Sequence, residues 1–226
     1  MEEGKDPPGM LMVYRNRPSV VIGRYQNPWR ECNVHHMASQ GVDLVRRRSG
    51  GGTVYHDYGN LNLCYFSSKE TFSKGRLSSF LLRLLSSILS HRNLGDLVPA
   101  LAVNDRNDLV FNGDKISGSA YRITTSKAYH HCTLLLRADI PALHSYLRVP
   151  KVHSPPPSPS PFLNCFSLSL PPLLTQKDIK GRGVDSVKSP VTNLCDGTGT
   201  NVSFEEIVQE VEALLTLEHP AAPIEV

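Results

Sequence analysis

No Cys-x-x-Cys pair occurs in this chain of 226 residues, and its five cysteines, Cys32, Cys64, Cys132, Cys165 and Cys195, are scattered. That excludes a zinc ribbon or a paired disulfide framework and favours the reduced thiols of a cytosolic or matrix compartment. Charge of one sign is scarce too. A net charge of +3 is too small to match a polymer of phosphates, so nucleic acid is not an expected partner. No apolar run is long enough to span a bilayer, which removes the membrane as a partner. The opening Met-Glu-Glu-Gly-Lys-Asp-Pro-Pro is acidic, and it is neither a secretory signal nor an Arg-rich transit peptide. What is left is an ordinary globular composition, 40% hydrophobic and 20% charged, with length for one domain and a substantial core.

The positive charge that does exist is concentrated. Arg46-Arg47-Arg48-Ser49 runs straight into Gly50-Gly51-Gly52-Thr53-Val54-Tyr55-His56-Asp57. Successive glycines let backbone come close to a ligand without side chains in the way, and arginine supplies a fixed cation for phosphate or carboxylate. Together they suit an anionic small molecule; the alternative is a surface turn beside a solvated basic run. Strand-like segments on either side, Val42–Val45 and Leu61–Phe66, favour a ligand loop.

Around this loop the periodicities predict a mixed α+β domain. Ser19–Gly23 carries β-branched Val20, Val21 and Ile22 and reads as a buried strand. Arg30–Gln40 reads as one helix closed by Gly41. Leu77, Phe80, Leu81, Leu84, Leu85 and Ile88 mark an amphipathic helix ending near Gly95. Leu109–Phe111 and Lys115–Ser117 flank Asn112-Gly113, the signature of a type I′ hairpin. Tyr129–Leu136 is a further strand, and Ser203 with Glu206 makes a capping box for a last helix. Val152–Gln176, dense in Pro, Ser, Leu and Phe, has no period; it reads as a translated, retained intron, with a genuine proline-rich linker as the alternative.

Several stretches carry a resemblance. The glycine run continues into Gly59-Asn60-Leu61-Asn62; farther on come Gly113-Asp114-Lys115-Ile116-Ser117-Gly118-Ser119-Ala120 and Tyr129-His130-His131-Cys132-Thr133-Leu134-Leu135; ahead of them stands Pro18-Ser19-Val20-Val21-Ile22-Gly23-Arg24-Tyr25-Gln26-Asn27-Pro28-Trp29. In this order they resemble the lipoate–protein ligase A and lipoyltransferase family, nearest to the mitochondrial lipoyltransferases of animals, from about Val13 to Leu147 and again from about Asp178. The resemblance implies a biotin/lipoate protein ligase-like catalytic domain, a mixed sheet flanked by helices. It implies residues 1–12 as an extension, 13–217 as the catalytic domain interrupted by 152–176, and 218–226 as a tail. The helix and strand that usually precede the Pro18 motif are expected to be missing.

The implied activity is transfer of a lipoyl group from lipoyl-AMP to a lysine of lipoyl domains in 2-oxoacid dehydrogenase E2 subunits and of the glycine cleavage H protein. The implied enzyme is a monomer of the mitochondrial matrix whose transfer step requires no metal. Lys115 is its catalytic residue. The lipoyl-adenylate site comprises Arg46, Arg47, Gly50, Gly51, Gly52, Thr53, Val54, Tyr55, Arg106, Lys115, Gly118, Ala120, Thr133, Val184 and Ser186, with Tyr55 against the adenylate. Gly183–Val187 resembles a loop that closes on the nucleotide. Read singly, several of these residues keep a second meaning. Lys115 fits a solvated hairpin lysine, His56 a general base or a structural histidine bonded to Asp57 or backbone, and Cys132 an acyl-accepting or a core thiol. His130 and His131 point to opposite faces of a strand and so do not share a metal. An inactive, truncated relative that keeps ligand or partner binding is the competing function. A biotin ligase is disfavoured because no Gly-Arg-Gly-Arg loop occurs.

Overall fold

A nine-residue strand with both faces buried organises the domain. The structure, a computed structural model, describes residues 9–147, 182–186 and 189–218; residues 152–176, Val187 and the two ends lie outside the described residues. Strand β5 (Asn60–Ser68) pairs antiparallel with β1 (Met10–Arg15) and with β10 (Lys127–Leu135), and β9 (Ser119–Ile123) completes the order β1-β5-β10-β9. A strand therefore does precede Pro18, contrary to expectation: Met10, Leu11 and Met12 pair with Phe66, Tyr65 and Cys64.

One face of this sheet is covered by α3 (Arg76–His91). Leu77, Leu81, Leu84, Leu85 and Ile88 are buried there with Leu61 and Leu63 of β5 and Cys132 and Leu134 of β10. Each such leucine contributes on the order of 1.5–3 kcal/mol, so this layer anchors the fold. Helix α6 (Phe204–Glu218) adds Ile207 and Val211 to the same core. Its capping box forms as expected: Glu206 N donates to Ser203 Oγ at 3.1 Å and Ser203 N to Glu206 Oε2 at 3.5 Å. The Glu206 carboxylate also accepts from Arg92 Nε at 2.6 Å, which ties α6 to the end of α3.

A second sheet, ordered β3-β2-β4, holds the glycine loop. Strand β2 (Ser19–Ile22) runs parallel to β3 (Asp43–Arg46) and antiparallel to β4 (Val54–His56). Its apolar side encloses a small core of Val20, Ile22, Cys32, Met37, Tyr55 and Tyr146. The helix expected over Arg30–Gln40 is two helices, α1 (Pro28–Glu31) and α2 (Val34–Ser39). Cys32 is extended and buried between them, and Asn33 caps α2 through His36 N, because an asparagine satisfies a helix start better than a helix interior. Helix α4 (Ile140–Tyr146) closes this core, with Tyr146 O accepting from Asn33 N at 2.8 Å.

A third, three-stranded unit consists of β6 (Leu101–Val103), β7 (Leu109–Phe111) and β8 (Asp114–Lys115). Asn112 and Gly113 have φ of 50° and 89°, the left-handed pair that a type I′ turn requires. Strand β8 stops earlier than expected because Ile116 N and Ser117 N both donate to Leu109 O, a bulge that drops Ile116 into the core. Helix α3 also stops before Gly95, at Asn93, which takes φ 58° and does the work of a terminal glycine. A short helix α5 (Leu194–Thr198) precedes α6.

Candidate active site

Arg47 braces the glycine loop from within, and Arg46 braces the neighbouring 23–26 turn. Arg46 NH1 donates to the carbonyls of Gly23, Arg24 and Gln26 at 3.1, 3.1 and 2.8 Å. Arg47 donates to Val21 O, to Gly50 O and, at 2.6 Å, to Gly52 O, and its Nε reaches Ser49 Oγ. Burial lowers the Arg47 pKa to about 10, so it stays cationic at neutral pH. Both guanidiniums hold backbone carbonyls, and Arg46 also remains exposed. The loop is tight. Gly51 has φ 90°, and a Cβ at Gly23 would fall 2.1 Å from Gly51 O.

The second motif converges on this loop. A Cβ at Gly51 would lie 3.6 Å from Ala120 Cβ on β9, and Lys115 extends over Gly118, two residues before Ala120, with Nζ 3.4 Å from a Cβ placed there. Lys115 is no solvated hairpin lysine. Its backbone is gripped on its outer side by Pro190 O and Thr192 N, both at 3.1 Å, and its Nζ donates to buried Asp108 Oδ2 at 2.8 Å. Asp108 Oδ1 takes Ser119 N, while Thr133 Oγ1 takes Gly118 N at 3.0 Å. Arg106 lies on the exposed β6–β7 turn beside Asp108, its backbone N–H bonded to Asn104 Oδ1.

Between the glycine loop and the four-stranded sheet lies the sheet's second face. By register it carries Met12 and Tyr14 from β1, Asn62, Cys64 and Phe66 from β5, and Tyr129, His131 and Thr133 from β10. The Phe66 and Tyr129 rings are 5.8 Å apart, and Met12 is 42% exposed, so the wall is apolar and open at that end. Toward the loop it turns polar: His131 Nε2 lies 2.6 Å from Ser49 Oγ. Burial, then the nearby Arg47 cation, lowers the pKa of both His131 and His56 to about 4, leaving neutral imidazoles. His56 Nδ1 meets Asn16 Nδ2 at 2.9 Å and not Asp57, whose carboxylate accepts from Gly59 N and Asp139 N. Cys132 sits in the α3-side core with its pKa raised by burial, a core thiol.

The remaining expected residues divide. Thr53 is buried beside Gly52; its N–H donates to Ser186 Oγ at 2.8 Å, and Gln26 Nε2 donates to Val184 O at 3.0 Å, so residues 182–186 lie against the loop. Tyr55 is a correction. Alternation along β4 turns its ring into the small core, 5.3 Å from Tyr146, and burial raises its pKa to about 12. Its neighbour Val54 has its side chain on the opposite face. Sequence reasoning did not single out Asp108, Gln26, Glu31 or Ser49. Gln26 and Asp108 stood inside or next to quoted motifs, but nothing in their type marked them as hubs.

Comparison with known proteins agrees with this geometry. The model described as the lipoyl protein ligase A/B catalytic domain matches residues 1–162. A mitochondrial lipoyl amidotransferase of Mus musculus is 42% identical over 167 residues, which are 72% of this chain and 42% of that protein. The Homo sapiens protein of the same name is 44% identical over 149 residues, 66% of this chain and 37% of its own length. The chain thus spans less than half the length of these curated relatives. Among solved structures, the bipartite lipoate protein ligase of Thermoplasma acidophilum superposes with a TM-score of 0.66 at 22% identity, covering 99% of this chain and 76% of that one, a likeness of fold. With a glycine loop meeting a lysine motif inside a fold of that kind, and the family model covering most of its length, the chain belongs to the lipoyl protein ligase A/B catalytic domain family.

Proposed function

We propose that the chain is a lipoyltransferase, moving the lipoyl group of lipoyl-adenylate onto the side-chain amine of an acceptor lysine. The observation that carries this reading is the convergence of Gly51 on Ala120, with the Lys115 ammonium over neighbouring Gly118. A carboxylate is inert to an amine, so the acyl group arrives as a mixed anhydride with AMP. The free amine attacks the carbonyl carbon, the C–N bond forms, the bond from that carbon to the phosphate oxygen breaks, AMP leaves as an anion, and the nitrogen's surplus proton passes to solvent. Gly50–Gly52 and Thr53 supply a close backbone wall, Thr133 and Val54 flank it, and Arg106 reaches from the rim. The face bearing Met12, Tyr14, Cys64, Phe66 and Tyr129 suits the acyl chain. Lys115 stabilises charge growing between carbonyl and phosphate oxygens, and an arriving phosphate competes with Asp108 for its ammonium.

The acceptors in this reading are lipoyl domains of 2-oxoacid dehydrogenase E2 subunits and the glycine cleavage H protein, within mitochondria. Its support is that the mouse and human relatives are named as mitochondrial, and that the archaeal ligase was solved as a system with its E2 lipoyl domain. The test offers a lipoyl domain and two donors. Lipoylation is expected from preformed lipoyl-adenylate and little or none from lipoate plus ATP. Equal product from both would make the chain a complete ligase, and product from neither would make it an inactive relative.

A further inference from the structure

Residues 182–186 reach the glycine loop through a single hydroxyl. Ser186 Oγ donates to the Glu31 carboxylate at the end of α1, and it accepts from Thr53 N at 2.8 Å and Gln26 Nε2 at 3.2 Å. Gln26 is 4% exposed, and its amide links three segments: Nε2 also holds Val184 O, while Oε1 takes Gly23 N at 2.8 Å and Thr53 Oγ1 at 2.9 Å. A second tether is Gly183 N to Tyr25 O at 3.1 Å, so close that a Cβ at Gly183 would meet that carbonyl at 2.6 Å. Little apolar burial supports this strap, since Val184 is 64% exposed and Asp185 is also exposed. Its attachment is polar, and the part that runs through Ser186 turns on one proton: because Glu31 accepts the Ser186 hydroxyl hydrogen, both lone pairs of that oxygen are available to Thr53 and Gln26.

We propose that Glu31 and Gln26 are positioning residues that latch the strap onto the glycine loop and thereby set how long lipoyl-adenylate stays bound, a role that rests on the adenylate reading of the site. The latch needs no ligand to exist, so it can be read directly. In amide hydrogen exchange, Glu31→Ala and Ser186→Ala are expected to speed exchange at Gly183 and Thr53 by about tenfold or more while α3 amides such as Leu84 keep their protection. Ser186→Thr, which keeps the hydroxyl, is expected to restore protection. With ligand, Glu31→Ala is expected to release lipoyl-adenylate about tenfold faster, with single-turnover transfer at saturation changed less than about twofold. Unchanged protection in both variants would overturn the latch. So would faster exchange spreading through α3, which marks general destabilisation. A single-turnover rate falling in step with affinity would overturn the residence role. A chain that binds no adenylate would remove that role together with the reading of the site, while the exchange data would still decide the latch.

Discussion

Neighbouring residues along β5 serve opposite ends. Leu61 and Leu63 turn toward α3 and are fully buried among leucines, whereas Asn62 and Cys64 turn toward the glycine loop and are 2% and 5% exposed. Burial alone does not separate the two faces. What separates them is company: the first set packs into the leucine core, with Arg15 beside Leu61 at the sheet's end, and the second meets Tyr14 O, Thr133 and His131. A sheet face can be as inaccessible as a core and still be built of groups that hydrogen-bond, and such a face is where a ligand with both apolar and polar parts is expected.

The contrast can be broken most sharply at its two extremes. Lys115→Ala should lower transfer by on the order of 10²–10³ in the folded fraction, because its ammonium stabilises developing charge, and should also lower the melting temperature, because buried Asp108 loses its partner; near-normal turnover of lipoyl-adenylate would take the lysine out of the chemistry. Leu84→Ala should cost about 2–5 kcal/mol in denaturant unfolding while the folded fraction keeps its specific activity.

Acid probes both faces together. His130 lies on the α3 side and His131 on the loop side, and burial lowers each, like His56, to about 4 from an ordinary 6.5. The folded state therefore binds fewer protons than the unfolded chain. The stability this represents is whole above pH 6.5 and is lost as pH falls toward 4, by up to about 1.4 kcal/mol per unit for each histidine. Melting curves across that window should show the loss. His130→Phe should flatten it without altering transfer, and His131→Phe should alter both. Gly51→Val places a β-branched residue at φ 90° with its Cβ 3.0 Å from Arg47 NH2, a strain of about 1–3 kcal/mol that should appear in calorimetry as weaker adenylate binding. The smallest effect is expected from Tyr55→Phe, whose ring faces Tyr146; a large loss of adenylate affinity there would return Tyr55 to the ligand wall.

Period and turn chemistry made the α3 core and the Asn112-Gly113 hairpin legible, because Leu84 and its neighbours repeat every helical turn and only certain residues tolerate two left-handed positions. The break at Cys32-Asn33 was not legible: helical spacing runs through it, and the burial that pulls Cys32 out of the helix comes from Tyr146 and Met37, distant in sequence or on the next helix. Glycines and Lys115 announced the site by type. Its hubs did not, since Gln26 acquires its role only when Val184 and Ser186 arrive from the far end of the chain. Tyr55 was misplaced for a related reason, as a three-residue strand gives too little alternation to say which face is the core.

Trp29 stands in the one turn of helix between Gln26 and Glu31, its N–H capped by Asn27 Oδ1, and it is the only tryptophan in the sequence. The tryptophan fluorescence of this sequence therefore originates beside the strap. Excited at the red edge of indole absorption, where tyrosine does not absorb, the chain reports optically on the surroundings of Trp29, so quenching by acrylamide or iodide becomes a site-resolved measurement without any label. The leucine layer under α3 has no tryptophan and is silent in that channel.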